Sequence, residues 1–178
     1  MIDHAAKPDR AYHGWATARD PEAIPVNQEH QATQALEAAA RRRRELRDAL
    51  VALEDAISSP SQDAGPWRDG VAARLVALRD AFAEHVTETE GSGGLYDEME
   101  EIAPHVQGKA RRLREEHPPL THAILDAVAR FAGPFPEGTD LDALREDLQR
   151  LMGRFIRHRS RGADLVWEAY ALDIGGAG

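Results

Sequence analysis

Four stretches of the chain repeat apolar residues every three or four positions, and this repeat limits the fold more than any other feature. Side chains with that spacing share one face of an α-helix, so each stretch predicts a helix with one buried face. No run alternates β-branched and aromatic residues as a strand would. The main apolar positions are Leu36, Ala39, Leu46, Leu50, Leu53 and Ile57; Val71, Leu75, Leu78 and Phe82; Val106, Ala110, Leu113, Leu120, Ile124, Val128 and Phe131; and Leu144, Leu148, Leu151, Phe155, Leu165 and Ala169.

Capping residues and breakers give the bounds of the first two predicted helices. The first runs from Asn27, as its N-cap, to about Ile57. The second has Pro66 at its first position, where a missing backbone N–H does no harm, and ends before the glycine-rich residues 91–94. A short helical turn is predicted at residues 95–101.

The third predicted helix contains two adjacent prolines. It starts near Pro104, and Pro118-Pro119 follows directly after His117. Proline removes a helical hydrogen bond and clashes with the preceding turn, so we expect a kink or a restart just after His117. The fourth helix is predicted to begin at a capping box formed by Thr139 and Asp142.

Four amphipathic helices with short connections predict an all-α fold, an up-down-up-down four-helix bundle. The length of 178 residues suits one domain. We assign residues 27–172 to the bundle, residues 1–26 with their three prolines to an N-terminal extended arm, and residues 173–178 to a tail. Trp167 and Tyr170, near the end of the fourth helix, are expected to pack against the arm. A homodimer face is the alternative role for these two aromatic side chains.

The charge balance argues against a polyanionic partner. The chain has 31 Asp and Glu against 22 Lys and Arg, which gives a net charge of -9. A surface that binds nucleic acid or an anionic membrane needs a basic excess, so neither is expected as a partner. The four arginines at 41–44 would spread around a helix, with acidic residues at pairing distance, instead of forming one basic face.

Several common site types are excluded by what the sequence lacks. There is no cysteine, and therefore no disulfide, thiolate metal site or cysteine nucleophile. We find no signal peptide and no run of about 18 apolar residues, so a cytoplasmic protein without a membrane span is expected. Nucleotide-binding glycine loops and the nucleophile elbow of hydrolases are also missing.

Three of the eight histidines fall on the inward faces of the predicted helices. His85 comes late in the second helix, His117 lies in the third and His158 comes late in the fourth. In an antiparallel bundle these positions can lie at one depth, so the three imidazoles are predicted to meet at one end of the core. Imidazole is the commonest side-chain metal ligand, and hydrogen-bonded core histidines are the alternative.

The blocks around these histidines resemble the hemerythrin-like domains, also called HHE cation-binding domains. The blocks are Phe82-Ala83-Glu84-His85 followed by Gly94-Leu95-Tyr96, then Leu113-Arg114-Glu115-Glu116-His117, and then His158 to Leu165. Members of that family hold two non-haem irons between four helices, on histidines and on glutamates four residues after them. The resemblance covers about residues 36–172 and implies a dimetal site.

Three positions depart from the family pattern, and each departure removes support for a cation. Thr89 and Gly162 stand four residues after His85 and His158, where the family has carboxylates, and Arg43 stands where it has a histidine. Two metal ions need negative ligands, and a guanidinium adds repulsion. We therefore expect no bound cofactor, with Arg43 paired to a neighbouring carboxylate among Glu88, Glu90, Glu116 and Asp164. A single iron or zinc ion on the three histidines is the alternative.

These features predict a non-enzymatic binding or sensing module of hemerythrin-like descent, with a lost or reduced dimetal site. The alternative is a metal-binding protein that senses or handles oxygen, peroxide or iron. A small ligand or anion beside Arg43, in the former metal pocket, is a third interpretation.

Overall fold

The computed structural model describes residues 44–60 and 64–171, with side chains up to Ala169, and all of them belong to one compact unit. Within these ranges the chain is helical and contains no strand, which confirms the all-α class. The predicted arm, the start of the first helix, Arg43, the side chain of Tyr170 and the tail lie outside the described residues. The helices are α1 (44–58), α2 (Ala64–Glu90), α3 (Leu95–Ile102), a 3-10 turn (Pro104–Val106), α4 (Gln107–Phe131) and α5 (Leu141–Ala171).

Contacts between helix ends show the predicted up-down-up-down arrangement of the four long helices. Because each contact joins the end of one helix to the start of another, α2 is antiparallel to α4, α4 to α5, and α5 to α1. The contacts are an edge-to-face pair of Trp67 with Phe131 at 5.9 Å, an ion pair of Arg130 with Asp147 at 2.7 Å, and a hydrogen bond from Arg145 Nε to the Ile57 carbonyl at 3.3 Å.

The core of the bundle has two parts. The larger part runs from the Trp67 end down to Phe82 and Phe155, and it contains all four buried residues of α1. The smaller part lies where α3 and the 3-10 turn fold over the ends of α4 and α5, around Tyr96 and Met99. The predicted short helix at residues 95–101 is therefore a cap that closes one end of the bundle.

The predicted restart of the third helix after His117 is wrong. α4 runs without interruption from Gln107 to Phe131, with Pro118 and Pro119 inside it. Both prolines are exposed. Water can therefore reach the carbonyls of Arg114 and Glu115, which lose their helical donors. Leu120 and Ile124, beyond the prolines, are buried in the core.

The capping residue of α5 also differs from the prediction. Asp140, not Thr139, is the N-cap: its Oδ1 accepts hydrogen bonds from the backbone N–H groups of Asp142 and Ala143, both at 3.0 Å. The Thr139 hydroxyl instead donates to the Pro136 carbonyl at 2.7 Å. An aspartate bonds the free amides of a first turn at least as well as threonine does, and its charge suits the helix dipole.

None of the described helices is both long enough and apolar enough to cross a membrane. Trp167 on α5 is 75% exposed.

Candidate metal centre

The three predicted histidines meet between the two parts of the core. His85 comes from α2, His117 from α4 and His158 from α5. Nε2 of His158 lies 3.1 Å from Nε2 of His117 and 3.3 Å from Nε2 of His85. One ring nitrogen from each residue lies within 4.8 Å of the other two. His117 and His158 are each 2% exposed, and His85 is half-buried.

A carboxylate contacts the outer ring nitrogen of each of the two buried histidines. Nδ1 of His117 lies 2.5 Å from Oε1 of Glu90, and Nδ1 of His158 lies 2.9 Å from Oε2 of Glu116. Glu90 and Glu116 are two of the four neighbouring carboxylates that the sequence placed near the layer as partners of Arg43. In the structure they approach the rings of His117 and His158 from behind.

These contacts fix which nitrogens of the buried rings carry protons. A carboxylate accepts but does not donate, so Nδ1–H of His117 and of His158 must be the donors. Nε2 of each neutral ring then carries a lone pair, and these two lone pairs face each other at 3.1 Å. His85 can donate to His158, but no tautomer of neutral rings satisfies the contact between His117 and His158 as well.

Protonation of the buried rings does not resolve this conflict near neutral pH. Burial, together with the nearby His158, lowers the pKa of His117 to about 4. Burial also lowers the pKa of His158, although Glu116 opposes the shift. Both rings are therefore neutral near pH 7, and each presents an unprotonated Nε2 to the centre of the layer.

The separations of His158 Nε2 from the ring nitrogens of His117 and His85 fit a single metal ion. Zinc binds histidine nitrogen at about 2.0–2.1 Å in tetrahedral sites, so two nitrogens on one zinc lie about 3.3 Å apart. The two contacts of His158, at 3.1 and 3.3 Å, match that spacing. The carboxylate behind each buried ring is the usual outer partner of a metal-binding histidine, which holds the ring and raises its basicity.

Aromatic side chains form two walls of the layer. The Phe82 ring lies 5.8, 5.6 and 6.0 Å from the rings of His85, His117 and His158. On the other side Tyr96 stacks on His117 at 6.0 Å, and burial raises the pKa of its hydroxyl well above the usual range. These walls exclude water and lower the local dielectric, which strengthens electrostatic contacts in the layer.

The structure describes two of the three positions that depart from the family pattern. Thr89 is buried one turn after His85, and its hydroxyl donates to the His85 carbonyl at 2.9 Å, so it holds the helix backbone. Gly162 is half-buried, and an added Cβ would meet nothing within 4 Å. Arg43 and its predicted carboxylate pairing lie outside the described residues.

A surface groove of about 390 Å³ lies beside the layer, between α2 and α4. Glu90 and His117 line it together with Val86, Thr121 and His122. The pair of Glu90 and His117 thus borders this groove.

Three contributors to the layer were missed or misplaced by the sequence analysis. All three stand in the sequence blocks that resemble the family, but Phe82 was predicted only as a core residue, and neither Tyr96 nor Arg161 was given a contact in the layer. Arg161 follows His158 by three positions, and its Nη2 donates to Glu116 at 2.8 Å. The i, i+3 spacing of Arg161 from His158 is a signal that could have located it.

No family model, curated protein or solved structure matches the chain. The resemblance of the histidine blocks to hemerythrin-like domains therefore stays a prediction.

Proposed function

We propose that this protein is a binding or sensing module that holds one divalent transition-metal ion on His85, His117 and His158. The contact that carries the proposal is the 3.1 Å approach of two unprotonated nitrogens in a buried layer. A cation between them converts that repulsion into two coordinate bonds. Binding of the cation would also keep the hydrogen bonds from both Nδ1–H groups to Glu90 and Glu116.

Zinc and ferrous iron are the ions that suit this donor set best. Imidazole binds both, and three histidines leave a coordination position for water or a small ligand. Glu90 and Glu116 together balance the charge of one divalent ion, although neither reaches it directly. Among the described residues the group that could hold a metal consists of the three histidines alone, so it contains no candidate for a carboxylate bridge between two metals. A hemerythrin-like ancestor with its dimetal site reduced to one ion fits this arrangement.

Metal titration with matched variants tests the proposal. We expect chelator-treated protein to bind one zinc or ferrous ion per chain, and His158→Ala to lose the binding. His122→Ala is the control, because His122 is 80% exposed and pairs with Asp126, outside the layer. At about 100 times Kd the ion should stabilise the fold by about 2.7 kcal/mol, which raises Tm by roughly 5–11 °C in a domain of this size.

Three results would count against the proposal. The first is no binding by either ion, which leaves a hydrogen-bonded histidine layer. The second is equal loss of binding in His158→Ala and His122→Ala, which points to surface adsorption. The third is two ions per chain in elemental analysis, which indicates that an intact dimetal site is present.

A further inference from the structure

The carboxylate behind His158 is held from two sides. Oε2 of Glu116 accepts a hydrogen bond from Nδ1 of His158 at 2.9 Å and another from Nη2 of Arg161 at 2.8 Å. His158 and Arg161 lie three positions apart on α5, whereas Glu116 comes from α4. The same oxygen therefore links a ring of the layer to a guanidinium at the surface.

The carboxylate behind His117 is held differently. Glu90 contacts Nδ1 of His117, and among the described residues no arginine or lysine forms an ion pair with it. Its side chain is 31% exposed and lines the surface groove. Glu116 is almost as exposed, at 28%. Without a second anchor, Glu116 could turn away from His158 into water.

We propose that Arg161 is a positioning residue for the metal centre, holding Glu116 against His158 so that Nδ1 stays protonated and Nε2 stays free to bind. The inference rests on the proposed function.

The choice of arginine has a physical reason. A guanidinium stays charged at any relevant pH and offers several N–H donors in a fixed plane, so it can orient a carboxylate as well as attract it. Arg161 is half-exposed, which leaves its other donors hydrated and avoids the penalty of a buried charge. Outer-sphere partners of metal-binding histidines typically change affinity by about 10–100-fold when removed.

The test uses the full chain with Arg161→Gln, Arg161→Lys and Glu116→Gln, and with Arg159→Gln as the control. Arg159 is exposed on the same helix. We expect zinc Kd, measured by chelator competition, to rise about 10-fold in Arg161→Gln and by up to about 100-fold in Glu116→Gln. Arg161→Lys should restore part of the loss, because a lysine keeps the charge without the planar donors. Arg159→Gln should bind as the wild type does.

A second measurement needs no metal. The ¹⁵N shifts of the His158 ring in chelator-treated protein report which nitrogen carries the proton. We expect Nδ1–H in the wild type and in Arg159→Gln, and a growing share of Nε2–H in Arg161→Gln. Unchanged tautomers in Arg161→Gln would overturn the positioning role, whatever the affinity does. Failure of the wild type to bind metal would sink the proposed function instead, and the tautomer shift would still show whether Arg161 orients Glu116.

Discussion

Replacing Phe82 by leucine tests whether the aromatic wall supports the histidine layer. Phe82 is 1% exposed and packs edge-to-face on Phe155, with 4.9 Å between the ring centroids. Such a pair contributes about 0.5–1.5 kcal/mol beyond the area it buries, and the smaller leucine leaves a partly filled void. We expect the free energy of unfolding to fall by about 1–3 kcal/mol and Tm by roughly 2–12 °C.

The same substitution should also weaken metal binding. The Phe82 ring touches all three histidine rings, so its loss lets each imidazole rotate away from the common centre. We expect zinc Kd to rise about 10-fold, in line with other outer-sphere changes. Urea unfolding with chelator gives the stability, and competition titration gives Kd.

Phe131→Leu is the matched control for this prediction. Phe131 is 2% exposed and makes two edge-to-face contacts, with Trp67 and Phe135, at the opposite end of the bundle. It should lose similar stability and keep the wild-type Kd. Equal Kd values for the two variants would refute the claim that Phe82 orders the ligands.

Three further predictions concern stability. Burial lowers the pKa of His117 in the folded protein to about 4, against about 6.5 for a free imidazole. The unfolded chain therefore binds a proton first, and the metal-free protein should lose up to about 3 kcal/mol as pH falls from 6.5 to 4. Urea unfolding across that range checks this, and a flat profile would contradict it. Asp140→Ala should lose about 1 kcal/mol as the N-cap of α5, and Thr139→Ala less, by thermal unfolding. Leu53→Ala, at a fully buried position of α1, should lose about 2–5 kcal/mol. Val51→Ala, at a half-exposed position, should stay within about 0.5 kcal/mol in the same assay.

The bundle could be predicted because the apolar spacing that defines each helix is contained in a short stretch of sequence. The steps of three and four that end at Leu53 and Ile57 in α1 place those residues in the core, where the structure has them buried. The depth of His85, His117 and His158 followed from the same stepping and from antiparallel order. The rings do meet, and a metal role for them stays a prediction.

The carboxylate contacts could not be predicted in the same way. Glu116 directly precedes His117 in sequence, but it bonds to His158 on another helix. Which neighbour a residue at the edge of a helix face contacts depends on how the helices are rotated, and apolar spacing fixes that rotation only coarsely. The prediction of the N-cap of α5 was wrong for a similar reason. Thr139 and Asp140 are both good capping residues, and the choice between them depends on a shift of one residue in where the helix begins.

The three histidines of the layer come from three different helices, which has a consequence for when the proposed site can form. His117 and His158 are 41 positions apart, and His85 and His158 are 73 apart. The three rings meet only when α2, α4 and α5 have all docked, and contacts this distant in sequence form slowly compared with local helix formation. A chain with two of them docked offers only two imidazoles. Under the proposed function, an ion would bind all three nitrogens only after these three helices have docked. The rate of its release would then be limited by the local opening of one helix.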